Sequence, residues 1–394
     1  MSAETGAPSD IVAAAAAADP VGLARALVKI PSVNPGLAPD GAGEREIADA
    51  CASWLSSWGL DARVVDVAPG RCNVVARLAG TGPTLLLNGH MDTVGVEGMT
   101  VEPFAASMSQ GRIWGRGSCD MKAGVAALMA AAARLAQIGP RPDLVVVLTA
   151  DEEHASLGMD ALVRSGLRAD LAVVCEPTGL AVMPAHKGFA WIEARFRGVA
   201  AHGSRPELGV DAIRHAALFV SALDGYGEEL KRRPPHPLLR WGSLHAGTIH
   251  GGTAESVYPE ECQLRVERRT LPGEAPETVL EEFQRVLDEV ASLEPKMDAE
   301  LDMTLHRPGT EVDGDSRLVQ GLLQASDLHG VEPRVEGMSA WVDAAFLNEA
   351  GIPAVCYGPG DIAQAHTADE WVNAGEIVTC ARVLESFARG LVAG

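Results

Sequence analysis

The sequence predicts a layered α/β domain interrupted by a smaller α+β domain. Two observations predict it. Short apolar runs of four to six residues alternate with stretches of helical periodicity, the pattern of strands covered by helices. Between about residues 183 and 308 the order changes to β-α-β-β-α-β, the split-βαβ or ferredoxin-like arrangement. The expected organisation is therefore a first part at 1–182, an insertion at 183–308 and a second part at 309–394.

Each element follows from local pattern. Apolar residues recur at helical spacing over 20–28 and 44–58, separated by a Pro/Gly-rich loop at 31–43. The runs 73–78, 84–87, 144–148, 171–175 and 354–357 read as buried strands. Residues 121–137 read as an alanine-rich buried helix stopped by Gly139-Pro140. In the insertion, strands are expected at 189–197, 242–249, 261–269 and 300–305, and helices at 210–223 and 277–292.

Composition excludes several function classes. Lys+Arg minus Asp+Glu is 32 − 53 = −21, which disfavours nucleic-acid and anionic-membrane partners. No apolar stretch reaches the ~18 residues of a membrane span. Residues 1–10 carry two acids and no Lys or Arg, and the run 13–18 is short, so a signal peptide is not expected. The seven cysteines include no C-x-x-C pair, and their odd number fits reduced thiols in the cytoplasm. There is no G-x-S-x-G, G-x-G-x-x-G or H-E-x-x-H motif, so serine-hydrolase, dinucleotide and zincin chemistries lack support.

Four apolar runs end in chemistry. They lead to His90 and Asp92, to Glu152 and Glu153, to Glu176, and through Gly358 and Gly360 to His366. Asp120 opens the alanine-rich helix after the Gly115–Gly117 turn. Ligands of open α/β sheets bind beyond the carboxyl ends of the strands. Two imidazoles with three carboxylates suit a pair of zinc-like cations, one carboxylate bridging them. A further carboxylate must act as base for a metal-activated water, and Glu152-Glu153 offers adjacent candidates. Asp92, two residues past His90, suits a partner that fixes the imidazole tautomer. Any one of these taken alone reads as a loop residue or cap; the ordered set favours metal. Cys119 and Cys175, beside Asp120 and Glu176, read as packing residues rather than nucleophiles.

As a set, GHMDTV (89–94), GRGSCDMKAG (115–124), TADEEHASLG (149–158), CEPT (175–178), AHGSRPELGVDAI (201–213), RRTLPGE (268–274) and YGPGDIAQAHTADEWV (357–372) resemble the dinuclear-zinc M20 peptidases and amidohydrolases. That family includes acetylornithine deacetylase, succinyl-diaminopimelate desuccinylase, aminoacylase and glutamate carboxypeptidase. The resemblance implies a zinc-peptidase-like catalytic domain on a mixed sheet with an inserted lid and dimerisation domain. It implies His90 and Glu176 on one zinc, Glu153 and His366 on the other, and Asp120 bridging. Cobalt or manganese are possible substitutes. It also implies Glu152 as general base, Asp92 orienting His90, and His202 stabilising the oxyanion, often across a homodimer. Arg269 is implied to hold a substrate carboxylate, with Asn348, Gly358 and Gly360 at the substrate as in acetylornithine deacetylases. Two departures stand out: Ser256 where the family often has Asn, and the bulky Trp341 ahead of Asp343. The expected activity is hydrolysis of N-acyl amino acids, with a carboxypeptidase or dipeptidase as the alternative and a catalytically silent metal-bound binder as the third reading.

Overall fold

In the computed structural model, which describes residues 8–392, the apolar runs form the middle of a mixed sheet. The chain divides into two units. The larger takes the residues up to Pro184, Val312–Glu336 and those from Val342 onward, and the smaller takes Ala185–Glu311 with Gly337–Trp341.

The larger unit's sheet runs in the order Asp61–Ala68, Arg71–Leu78, Asp143–Thr149, Thr84–His90, Leu171–Val174, Ala354–Cys356 and Val182–His186. Thr84–His90 is parallel to both its neighbours, and Ala354–Cys356 is parallel to Leu171–Val174. The Arg71–Leu78 strand pairs antiparallel on both sides. The parallel strands are buried and therefore almost wholly apolar, which is why they stood out as runs. Asp61–Ala68 escaped the sequence reading because it is a mostly exposed edge strand with charged residues.

Ala123–Ala136 packs against Thr84–His90, Pro20–Val28 and Ala374–Gly390. Gly124 lets it approach the Cys175 backbone closely: a Cβ there would lie 2.0 Å from the Cys175 carbonyl oxygen. The helix expected from residue 121 begins instead at Ala123, after one wide π turn at Ser118–Lys122. A further helix, Pro8–Ala16, takes in most of the alanine-rich run at 13–18, where no helix is expected from the sequence. Residues 1–7 of the signal-peptide reading lie outside the described residues.

The smaller unit is a four-stranded antiparallel sheet in the order Ser243–Gly251, Glu261–Thr270, Gly188–Arg197 and Asp298–Arg307. Helices Ala212–Arg232 and Pro276–Leu293 cover it. Its own core joins Ile192, Ala194 and Phe196 to Phe219, Leu223 and Phe283. Gly337–Trp341 lie outside the 183–308 segment marked in the sequence. They join this unit because the Lys187 N–H donates to the Met338 carbonyl at 3.1 Å and Trp341 packs edge-on against Phe189. Among the described residues, no helix is long and apolar enough to cross a membrane.

Candidate metal centre

The parallel register brings several strand ends to one edge of the larger unit's sheet. Thr84–His90 ends on His90, and Asp143–Thr149 runs into the turn bearing Glu152 and Glu153. Leu171–Val174 leads directly to Glu176. Asp120 sits within the π turn, where φ and ψ leave helical values.

Asp120 lies between two imidazoles. His90 Nε2 is 3.1 Å from its Oδ1, and His366 Nε2 is 3.5 Å from its Oδ2. His366 Nε2 is also 3.0 Å from Glu153 Oε2. Ligand atoms of His90, Asp120 and Glu153 all fall within 4.8 Å of one another. Glu176 is buried, and its Oε1 has no hydrogen-bond partner among the described residues.

The electrostatics match a cation site. Burial pushes the Glu176 carboxyl well above its ordinary value, and Asp120 adds to the rise. Burial does the same to Glu152, opposed by His90 and reinforced by Glu176, Asp343 and Glu153. Burial disfavours the charged form of His90, yet the hydrogen bond to Asp120 and the charge of Glu152 outweigh it and raise its pKa well up. Crowded carboxylates with an orphaned buried oxygen are what a divalent cation relieves. The donor set, imidazole nitrogen with carboxylate oxygen, fits zinc, cobalt or manganese. His90, Asp120, Glu153, Glu176 and His366 could hold such ions.

Asp92 departs from expectation. His90 Nδ1 lies 2.9 Å from the Asp92 carbonyl oxygen but 3.7 Å from its carboxylate. A carbonyl only accepts, so Nδ1 carries the proton and the main chain fixes the tautomer. The carboxylate instead accepts the N–H groups of Glu152 at 3.1 Å and Glu153 at 3.2 Å. Asn34 Nδ2 donates to Asp92 at 2.7 Å and to Asp151 at 3.0 Å. Arg71 then pairs with Asp151 at 2.7 Å and with Glu44. Sequence reasoning missed this buried chain, whose members lie in five separate segments.

Other expected substrate residues are already engaged. Asn348 donates to the Ala354 carbonyl at 3.0 Å and accepts the Ala354 N–H at 2.9 Å, closing the turn ahead of that strand rather than reaching outward. A Cβ at Gly358 would lie 2.4 Å from the Glu176 carbonyl oxygen, so this glycine lets the His366 loop pass against Glu176. Gly360, at φ +89°, makes a similar approach to Cys119 Sγ.

In the smaller unit, His202 is exposed and its Nδ1 accepts the Ser204 N–H at 3.2 Å, leaving Nε2 to carry the proton. The Gly203 N–H donates to the Ser256 carbonyl at 2.7 Å, tying the two loops together. Arg269 Nε donates to Glu267 at 2.8 Å and its guanidinium lies 5.5 Å from the Phe189 ring centroid. Trp341 packs on Phe189, with Arg307 6.0 Å from its ring.

Residues 86–390 match the model of peptidase family M20/M25/M40. The chain is 33% identical over 330 residues to an acetylornithine deacetylase of Myxococcus xanthus, covering 81% of this chain and 84% of that one. A tripeptidase of Staphylococcus aureus has the same fold at a TM-score of 0.77 and 23% identity, over 94% of this chain and 97% of that one. A dinuclear metal-binding peptidase of the M20 family from Bacillus subtilis superposes at 0.72 with 18% identity, over 95% and 98%. A family-model match over most of the chain, with a relative 33% identical over 81% of it, settles the affiliation: the chain belongs to peptidase family M20/M25/M40 and is a hydrolase of amide or peptide bonds.

Proposed function

We propose that this protein is a two-zinc amidohydrolase that removes an acyl group from the amine of an N-acyl amino acid or related small compound. The observation that carries the metal chemistry is the Asp120 carboxylate, one oxygen toward His90 and the other toward His366. The likeness to acetylornithine deacetylases supports the substrate class.

His90 and Glu176 would hold one ion, Glu153 and His366 the other, and Asp120 both. Bound zinc acidifies water and polarises a carbonyl. Glu152, with its pKa held up by burial, takes the proton from the attacking water and returns it to the leaving amine. Asp92 steadies Glu152 by accepting its backbone N–H. His202, protonated on Nε2, offers a donor to the developing oxyanion, and Arg269 a cation to a substrate carboxylate. A homodimer is supported by the exposed edge strand Ser243–Gly251, and a cytoplasmic setting by seven unpaired thiols.

The test is hydrolysis of a panel of N-acetyl amino acids, N-acetylornithine included, beside dipeptides and tripeptides, with zinc or cobalt added. Release of the free amino acid from the acetylated set is the expected outcome. Cleavage of peptides alone replaces the deacylase with a peptidase. Stoichiometric metal without hydrolysis of either set identifies a binder.

A further inference from the structure

Glu370 is completely buried, and the proposed reaction does not use it. Its carboxylate takes four hydrogen bonds from one segment. Oε1 accepts from the Cys119 N–H at 2.8 Å and the Asp120 N–H at 3.1 Å. Oε2 accepts from the Gly117 N–H at 3.1 Å and from Arg116 Nη1 at 2.7 Å. The Glu370 carbonyl also accepts the Gly115 N–H at 3.1 Å, and Trp371 pairs with Trp114. Residues 115–120 turn on Gly115 at φ +144° and Gly117 at φ +75°, which makes their amides converge into a concave anion nest. An internal carboxylate fills that nest.

The two segments joined in this way each end at the candidate centre. One terminates on Asp120. The other begins at His366, four residues before Glu370, where φ is +62°. Further ties run along the same seam: Cys119 Sγ donates to the Asp361 carbonyl at 3.3 Å, and the Thr100 N–H to the Ala368 carbonyl at 2.8 Å.

We propose that Glu370 is a positioning residue that clamps the Asp120 segment to the His366 loop and thereby sets the protein's affinity for divalent metal. The inference rests on the metal-site reading above. Without the carboxylate, three main-chain N–H groups and the Arg116 guanidinium lose their buried acceptor, and the π turn relaxes to find others. Asp120 then shifts relative to His366. Groups that orient metal ligands typically govern affinity by about 10–100-fold.

The experiment titrates metal-free protein with cobalt(II), followed by calorimetry and by the visible cobalt spectrum, and repeats it with zinc. Glu370→Gln keeps the size and one acceptor oxygen but turns an NH2 toward Gly117 and Arg116. Glu370→Ala removes the clamp. Asp369→Asn, on the exposed neighbour, controls for loss of a nearby charge. The expected result is an affinity lower by about 10–100-fold in Glu370→Gln, with an altered cobalt spectrum, while Asp369→Asn stays within about twofold of wild type. Wild-type affinity and spectrum in both Glu370 variants overturn the clamp, however far their melting temperatures fall. Wild-type protein that binds neither ion overturns the metal-site reading itself, and the clamp with it.

Discussion

Glu152 sits half-buried among Glu153, Glu176 and His90, and its carboxyl is held far above its ordinary range by burial and by those neighbouring acids. It has a base's environment without being one of the five proposed ligands. Glu152→Ala is expected to bind metal normally and to lose about 10²–10⁴-fold in turnover, as paired metal analysis and kinetics would reveal. His186 gives a second residue-level outcome, one of stability. It is buried, with Nε2 2.7 Å from Thr310 Oγ1, and burial lowers its pKa from 6.5 to about 4. Between those values the unfolded chain binds more protons than the folded one. Stability is therefore lost as pH falls from about 6.5 toward 4, by up to about 3 kcal/mol. Denaturant titrations across that window are expected to show a shallower slope in His186→Gln. At this scale four of the proposed ligands were legible because each follows an apolar run, and Asp120 because it opens a helix after a glycine turn. The Asp92 carboxylate and Asn348 were not, because a polar side chain's task depends on which backbone groups tertiary folding brings to it.

The turn after the Asp143–Thr149 strand shows how an element is held. It reverses direction with Asp151 at φ +69° and Ser156 at φ +53°, conformations that cost energy for non-glycine residues. The chain Glu44–Arg71–Asp151–Asn34–Asp92 underwrites it from below and ends on the Glu152 and Glu153 amides. Arg71→Ala strands two buried carboxylates and is expected to destabilise the protein by about 3–5 kcal/mol in chemical denaturation. Asn34→Ala leaves no unpaired cation and is expected to cost less stability, about 1–3 kcal/mol, while lowering kcat more than it raises KM. In the mixed sheet, burial made the elements legible. The central strands, covered on both faces, announced themselves. Asp61–Ala68 at the edge did not, since burial does not mark it, and the π turn at Ser118–Lys122, though buried, did not because no regular repeat marks it.

Across the whole molecule, each unit carries its own core, one gathered on the mixed sheet and one on the four-stranded sheet. The proposed ligands all belong to the larger unit. Scanning calorimetry is expected to resolve two transitions, and chelation to lower only the one owned by the larger unit. Ligand binding at 100 times the dissociation constant adds about 2.7 kcal/mol, enough for a shift of a few degrees. The cysteines extend this division. Six of the seven buried thiols (Cys51, Cys72, Cys119, Cys175, Cys356 and Cys380) lie in the larger unit, and Cys262 is the smaller unit's own. A buried thiol meets an alkylating reagent only when its surroundings open. The protein thus carries its own stopwatch: the rate at which Cys262 is alkylated times the opening of one unit, and the other six time the opening of its companion.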